Sequence, residues 1–298
     1  MKRLLMITGF LAFCFAVVSP VWAQADRDAG REWDLKAPWG KTRRSPPVSE
    51  QKIDPFKVFD NVYYVGTQNV SSFVISTSAG LVMIDSTNPE TADALIDGVR
   101  SLGLDPKNIK YLLITHSHID HYGGAGKVKQ VSGARLGMSD IDWGVVEHSR
   151  QGSIPIKRDI VLKEGEPMTV GNTTFKFYLT PGHTPGAMSI EFQARDGAKS
   201  YRTLIPGGLG IHMTPDWTEP FIKSIEKTKR LGPFDVLLGN HPFLQPRDLI
   251  EIKKDLAKRG SGPHPAVVTP AQENAFFDGV IKTAREKLAF EQARSAKD

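Results

Sequence analysis

Short apolar and β-branched runs, separated by polar turns, recur along most of the chain. Runs of this length that are bounded by Gly, Pro, Asn or Asp are typical of strands. In the first half of the chain they predict strands at residues 62–66, 73–77, 81–84 and 111–115, with another near Leu136. A second β-rich half is predicted to begin near Ile160. Its strands are expected at residues 160–162, 175–179, 188–192 and 201–205.

Helical patterns lie between and after these strands. Asn88 and Pro89 have the form of an N-cap with proline at the first helical position, and Gly103 ends the apolar stripe that follows. Further helices are predicted at residues 124–131, 218–229 and 247–258, and a long final helix is predicted to open at the capping-box spacing of residues 269–272. Two β-rich halves with helices outside them predict two sheets packed face to face between helical layers.

The N-terminus has the pattern of a secretory signal peptide. A basic start is followed by a 15-residue, nearly all-apolar run at residues 4–18 and by a small-residue cleavage site that ends at Ala23. The run is short for a transmembrane span, although an uncleaved anchor is the alternative. We therefore predict a signal peptide at residues 1–23, a periplasmic mature protein, and no membrane association once the signal is removed.

Residues 24–55 are polar and proline-rich and are predicted to be an N-terminal arm, with the hydrolase domain at residues 56–298. The arm carries Trp33 and Trp39, which either wall the active site or make surface contacts. Cys14 is the one cysteine of the chain and lies in the signal, so the mature protein has no disulfide, thiolate ligand or thiol nucleophile.

The charge of the chain argues against a nucleic-acid partner. The formal net charge is +5 and falls to +3 when Lys2 and Arg3 leave with the signal. The basic cluster at residues 41–44 lies in the proline-rich arm, and no larger basic face with aromatic platforms accompanies it. We expect a monomer that acts on a small molecule and binds no nucleic acid.

Four candidate metal ligands stand together in the run T-H-S-H-I-D-H, namely His116, His118, Asp120 and His121. Residues two apart on an extended chain point the same way, so His116, His118 and Asp120 share a phase that His121 breaks, as in a loop leaving a strand. A purely structural cluster is disfavoured because three of the eight histidines fall within six consecutive residues. Imidazole and carboxylate together suit zinc.

Two further histidines follow predicted strands. His183 lies in the loop P-G-H-T-P-G after the strand at 175–179, and His241 follows the strand-like run at 236–238. With the first four ligands, these side chains have the types and spacing to hold two zinc ions about 3.5–4 Å apart.

The motif H-x-H-x-D-H, the P-G-H-T-P-G loop and the late G-N-H-P resemble the metallo-β-lactamase superfamily, from about Val58 to the end of the chain. The segments 61–67 and 81–85 also match its upstream part. Within it, the chain is most similar to the third subclass of class B β-lactamases, which are dizinc enzymes without a cysteine ligand. The resemblance implies an α/β fold, a four-layer αββα sandwich. It also implies His116, His118 and His183 on the first zinc and Asp120, His121 and His241 on the second.

The stretch L-I-P-G-G-L-G at residues 204–210 departs from several branches of that superfamily. It lacks the bridging aspartate of lactonase-like and glyoxalase-like enzymes, and it lacks the cysteine of the other zinc β-lactamase subclasses. The third subclass has serines here, whereas this chain has glycines. We expect Gly208 and Gly210 to bind substrate through backbone N–H groups.

Several residues near the ligands have two readings. His212 is expected at the rim of the site, whereas His148 and His264 are expected at the surface. Tyr122 and Thr184 flank ligands and either line the substrate pocket or only pack. Asp85, after an apolar strand, either orients a ligating histidine or is an ordinary turn aspartate.

The predicted function is that of a secreted zinc-dependent β-lactamase. It would open the β-lactam amide with a hydroxide held by the two zinc ions, and Asp120 would orient that nucleophile. One alternative is a related dizinc hydrolase of another ester, lactone or amide with weak β-lactamase activity. A non-catalytic metal-binding or redox module is a further alternative, which the complete ligand set and the lack of a thiol disfavour.

Overall fold

The computed structural model describes residues 47–148 and 154–296. The predicted signal peptide, Trp33, Trp39 and the basic cluster at 41–44 lie outside the described residues.

Within these described ranges, the first sheet contains seven strands that follow one another in chain order. Strands β1 to β4 pair antiparallel, whereas β4 to β7 pair parallel and need helical connections between them. The strands are β1 (Phe56–Phe59), β2 (Val62–Tyr64), β3 (Phe73–Thr77), β4 (Gly80–Ile84), β5 (Ile109–Leu113), β6 (Arg135–Ser139) and β7 (Ile160–Leu162).

The second sheet contains five strands in the order β12-β11-β10-β9-β8. All neighbours are antiparallel except β11 and β12. The strands are β8 (Met168–Val170), β9 (Thr173–Leu179), β10 (Met188–Asp196), β11 (Lys199–Ile205) and β12 (Val236–Leu237). Ile160 pairs with Gly137 of β6, so the prediction that the second half begins at Ile160 was wrong. The second sheet begins at Met168.

The helices of the described residues are α1 (Ala92–Ser101), α2 (Ile119–Tyr122), α3 (Ala125–Ser132), α4 (Asp140–His148), α5 (Pro215–Leu231), α6 (Leu249–Leu256) and α7 (Pro270–Ser295). Short 3₁₀ turns occur at Val48–Glu50, Pro89–Thr91 and Pro106–Asn108. The capping box of Thr269 and Gln272 is confirmed. Asn88 is at the predicted N-cap position with Pro89 first in the helix, but this helix is a 3₁₀ turn that precedes α1, and the Asn88 side chain makes no capping bond. None of the described helices is both long and apolar enough to cross a bilayer.

Three apolar clusters separate the layers. Phe73, Phe175 and Phe192 belong to the cluster between the two sheets. A second cluster, with Met83 and Trp143, packs the other face of the first sheet against α1, α3 and α4. The third packs the second sheet against α5 and α7. The predicted αββα sandwich is confirmed. Adjacent residues of β4 point into different clusters, which explains why the whole strand is buried and apolar.

Candidate metal centre

The six candidate ligands converge from loops that leave strands of both sheets. His116 lies three residues beyond the end of β5, His118 precedes α2, and α2 carries Asp120 and His121. His183 follows β9 and His241 follows β12, both of the second sheet. The site therefore lies where the two sheets meet at one edge.

The side chains form two adjacent groups. Ligand atoms of His116, His118 and His183, the first triad, all lie within 4.8 Å of one another, as do those of Asp120, His121 and His241, the second triad. In the first triad, His118 Nδ1 lies 3.0 Å from His183 Nε2. The ring centroids of His116 and His121 are 4.0 Å apart and join the two triads. The structure thus brings together all six residues, in the two groups that the resemblance implies.

Backbone carbonyls fix two of the imidazole rings. His183 Nδ1 donates to Gly210 O over 2.6 Å, and His241 Nδ1 donates to Asn69 O over 2.5 Å. Because a carbonyl only accepts, each Nδ1 must carry the proton, and each Nε2 keeps its lone pair for another partner. This arrangement is the one that metal-binding histidines usually show.

Asp85 fixes one ring in each triad. Its Oδ2 accepts from His121 Nδ1 and from Thr115 Oγ1, each over 2.8 Å, and its Oδ1 accepts from Thr115 N over 2.7 Å. Because the Thr115 hydroxyl donates to Asp85, it accepts from His116 Nδ1 at 3.0 Å. Asp85 itself adopts a φ of 57°, which is unusual for a residue with a Cβ. Of its two readings, the orienting one is confirmed.

Among the described residues, two ring nitrogens are buried without a hydrogen-bond partner. They are Nε2 of His116 and Nε2 of His121, one in each triad. A buried polar atom without a partner costs about 1–3 kcal/mol, which a bond to a metal would remove. These two atoms show that the residues present fit metal ions.

The charge state of three of the histidines also suits a metal. Burial lowers the pKa of His116 and of His183 well below 6.5 and that of His241 to about 4, which leaves the neutral form that binds metals. Burial also opposes a charge on His121, but Asp120 and Asp85 outweigh it and raise the pKa of His121 to about 10. The second triad is therefore an environment that favours a positive charge.

The glycines at 208 and 210 lie against the ring of His183. A Cβ at Gly208, whose φ is 118°, would lie 2.6 Å from His183 Cδ2, and a Cβ at Gly210 would lie 3.0 Å from His183 Cε1. Glycine is needed there because the imidazole passes so close to the backbone. This role was not predicted from the sequence, and the expected substrate contacts of Gly208 and Gly210 stay a prediction.

The other predicted residues separate into rim and core. His212 is exposed, and a Cβ on Gly210 would come within 3.2 Å of its ring, so it lies at the rim. Tyr122 is buried in the cluster between the first sheet and its helices. Thr184 is buried and its hydroxyl donates to Asp142. Burial of both side chains favours the packing alternative, and their contact with substrate stays a prediction.

Of the two histidines that were predicted to lie at the surface, only one does so. His148 is exposed, as expected. His264 is buried, stacks on Phe59 with 3.7 Å between ring centroids, and bonds through Nε2 to Val58 O. The surface prediction for His264 was wrong because both partners lie some two hundred residues earlier in the chain.

Three residues around the site were not predicted from the sequence. Asn69 contributes only its carbonyl, which any residue would supply, so no signal for it exists. Phe243 is partly exposed with its ring centroid 5.5 Å from that of His241. Asp142 is a buried carboxylate on α4. Ser139 stands three residues before Asp142, at the spacing of a helix cap, and that signal could have located the helix.

Comparison with known proteins agrees with this geometry. The model of the metallo-β-lactamase superfamily matches residues 65–198. The hydroxyacylglutathione hydrolase GloC of Haemophilus influenzae is 31% identical over 163 residues, which cover 50% of this chain and 75% of that protein. Several other curated relatives are matched over about half to two thirds of their length.

Two solved structures are similar over most of the chain. BJP-1, a subclass B3 metallo-β-lactamase of Bradyrhizobium japonicum, has a TM-score of 0.73 and 27% identity, covering 83% of this chain and 99% of that one. Native FEZ-1 metallo-β-lactamase from Legionella gormanii has a TM-score of 0.70 and 27% identity, covering 80% and 96%. The fold and the site thus define a hydrolase with metal-binding groups. The chain belongs to the metallo-β-lactamase superfamily, and both structural neighbours are metallo-β-lactamases, of which BJP-1 is of subclass B3.

Proposed function

We propose that this chain is a secreted zinc-dependent β-lactamase. The observation that carries the proposal is the pair of complete triads, which contain no cysteine and no second aspartate. The similarity to two metallo-β-lactamases, one of them of subclass B3, over about four fifths of the chain supports the same substrate class.

The proposal assigns one zinc ion to His116, His118 and His183 and a second to Asp120, His121 and His241. Imidazole with a single carboxylate is a donor set that suits zinc. When bound, a zinc pair polarises a carbonyl and makes water a nucleophile near neutral pH.

The residues of the chain prepare the site for that chemistry. Asp85, Gly210 and Asn69 accept hydrogen bonds from the Nδ1–H groups of His121, His183 and His241, respectively. The Nε2 atom of each ring is thereby turned towards the proposed metal. Asp120 Oδ2 lies 3.4 Å from His121 Nε2 and 3.9 Å from His241 Nε2, within the second triad. Through its other oxygen, the Asp120 carboxylate would orient the attacking water.

The substrate would approach from one side. His118 and His212 are exposed, whereas His116 and His121 are fully buried. Phe243, beside His241, offers an apolar surface at the rim, which suits the side chain of a β-lactam. An accessible side of this kind argues against a purely structural metal site.

We further propose export to the periplasm through residues 1–23, with the mature enzyme acting as a monomer. The support is the basic start, the apolar run and the small residue at Ala23. N-terminal sequencing of protein recovered from the periplasmic fraction should begin at Gln24. A protein recovered uncleaved with the membranes would contradict export as a free enzyme.

The test of activity is hydrolysis of a chromogenic cephalosporin by the purified protein, followed by a penicillin and a carbapenem. We expect ring opening that a chelator abolishes and added zinc restores. The His183→Ala/His241→Ala double variant, which removes a ligand from each triad, is the control. A zinc-loaded protein that opens none of the three rings would contradict the proposal.

A second function is a dizinc hydrolase of another ester, lactone or amide. Two observations favour it, namely the glycines at 208 and 210 in place of serines and the curated relatives named hydroxyacylglutathione hydrolases. The absence of an acidic residue between β11 and α5 weighs against a glyoxalase-like site. Parallel kcat/KM values for a cephalosporin, a lactone and a hydroxyacylglutathione decide between them. A preference of orders of magnitude for either non-lactam would favour this second function.

A further inference from the structure

Asp142 is a fully buried carboxylate that contacts two of the loops of the candidate centre. Its Oδ2 accepts from Ser117 N over 2.8 Å and from Thr184 Oγ1 over 2.7 Å, and its Oδ1 accepts from Gly186 N over 2.9 Å. Ser117 stands between His116 and His118, and Thr184 follows His183. One carboxylate thus holds residues adjacent to every member of the first triad.

The helix that carries Asp142 is anchored on both sides. Trp143 is fully buried and its Nε1 donates to Ile160 O of β7 over 2.7 Å. A Cβ on Gly186 would lie 2.4 Å from Ser139 Oγ and 2.6 Å from Asp142 Oδ1, so the His183 loop lies directly on the start of α4. The carboxylate is therefore a fixed point against which the two loops are placed.

The second triad has other supports. His121 is held by Asp85, and His241 is held by the carbonyl of Asn69. The hydrogen bonds of Asp142 go to Ser117, Thr184 and Gly186, and none goes to these supports.

We infer that Asp142 is a positioning residue that sets the spacing of His116, His118 and His183 and so controls metal affinity at the first triad alone. This inference rests on the proposed zinc site. Partners behind metal ligands typically change metal affinity by about 10- to 100-fold when they are replaced. Asp142 acts one step further back, through the loops.

The variant Asp142→Asn tests the inference. Three donors converge on this side chain, and an amide has one accepting oxygen and an NH₂ group that cannot accept, so at least one donor loses its partner. We expect zinc affinity at the first triad to fall by about 10- to 100-fold. Titration of the full chain against a chromophoric chelator measures this without an activity assay.

Single-site backgrounds assign the effect to a triad. In His241→Ala, the ion retained most tightly is expected at the first triad, and adding Asp142→Asn should weaken it by the same factor. In His183→Ala, the remaining ion is expected at the second triad, and Asp142→Asn should leave its affinity unchanged. The visible spectrum of the cobalt-loaded protein should change in the first background and not in the second.

Matched variants distinguish a change in the position of the two loops from a general loss of folding. Asp140→Asn alters an exposed aspartate two residues earlier on the same helix and should bind zinc as the original protein does. Thr184→Val removes one of the three bonds and should weaken the first site by a smaller factor, whereas Thr184→Ser keeps the hydroxyl and should restore it. If Asp142→Asn fails to fold, the comparison of zinc affinity between Thr184→Val and Thr184→Ser tests the inference by itself.

Three results would overturn the inference. They are unchanged zinc affinity in Asp142→Asn, equal weakening of both sites, and equal affinities for Thr184→Val and Thr184→Ser. An original protein that binds no zinc would refute the proposed function itself, and with it this inference. Failure of the proposed function, in which no zinc binds, is thereby distinguished from failure of the Asp142 inference, in which zinc binds but does not depend on Asp142.

Discussion

At the scale of single residues, the centre is determined by what stands behind each ring. The Nδ1–H groups of His121, His183 and His241 donate directly to a carboxylate or a backbone carbonyl. The Nδ1–H of His116 donates to the Thr115 hydroxyl, which donates in turn to Asp85. The motif indicated four of the six candidate ligands because their types and spacing are local in sequence, and the other two were indicated by their places after predicted strands. The backbone acceptors at Asn69 and Gly210 could not be predicted, because a carbonyl is common to every residue.

Removal of one ligand should affect the triads unequally. In His121→Ala, the second triad loses the ring held by Asp85, while the first keeps all three of its imidazoles. We expect native mass spectrometry to show about one ion lost, from the second site. Retention of both ions would refute the assignment of His121. Loss of both would show that the triads depend on each other.

The close approach of His183 to the glycine stretch makes a second residue-scale prediction. Gly208→Ala adds a Cβ that would lie 2.6 Å from the His183 ring, at a φ of 118° that residues with a Cβ rarely adopt. We expect a loss of more than about 2 kcal/mol in the free energy of unfolding, measured in urea, because steric and backbone costs combine.

Gly103→Ala is the control for that variant. Gly103 has a φ of 75° with nothing within 4 Å of an added Cβ, so it carries the backbone cost without the clash. It should lose only about 1 kcal/mol. Equal losses in the two variants would show that contact with His183 does not matter.

At the scale of elements, sequence periodicity located most strands but not their partners. The predicted bounds 73–77 and 160–162 match β3 and β7. The assignment of 160–162 to a sheet failed because pairing with β6 is decided by distant residues. The short strands β1 and β8 were missed, whereas the equally short β7 was located because it is an unbroken apolar run; β1 and β8 each contain a polar residue and are too short to show an alternation. Helix α4 was missed because it follows β6 without a turn.

The second sheet contains a charged network that makes its stability depend on pH. Glu191 of β10 is buried and accepts from Arg202 of β11 and from Tyr178 and Lys176 of β9. Burial alone would raise the pKa of Glu191, but these donors outweigh it and lower the pKa to about 2. The folded pKa thus lies below the ordinary value of 4.5. The stabilisation is present above pH 4.5 and is lost as the pH falls towards 2.

The variant Glu191→Gln should therefore differ from the original protein most near neutral pH. A shift of this size corresponds to about 3 kcal/mol in the free energy of unfolding. Urea denaturation of both proteins from pH 7 down to pH 2.5 should show the difference shrinking below about pH 4.5. A difference that stays constant over this range would show that Glu191 contributes by packing and not by charge.

At the scale of the whole molecule, the centre joins the two halves of the sandwich. Each triad combines residues that follow β5 of the first sheet with a histidine that follows a strand of the second, either β9 or β12. The sequence predicted both the two sheets and the residues that converge as candidate ligands. The sequence does not show that each triad combines residues from both sheets, because this depends on which strand ends lie at the same edge of the folded domain.

Metal removal should consequently destabilise the entire domain. Zinc that binds only the folded state adds about 4 kcal/mol when its free concentration is 1,000 times Kd, because unfolding separates the ligands of each triad. For a domain of this size that corresponds to a fall in Tm on the order of 10 °C when a chelator is added. Scanning calorimetry measures it, with zinc analysis to verify removal. In the His183→Ala/His241→Ala variant the chelator should change Tm little, because both ions have lost their ligand from the second sheet. A Tm that does not change when the original protein loses its zinc would show that the sheets are held together by their apolar interface alone.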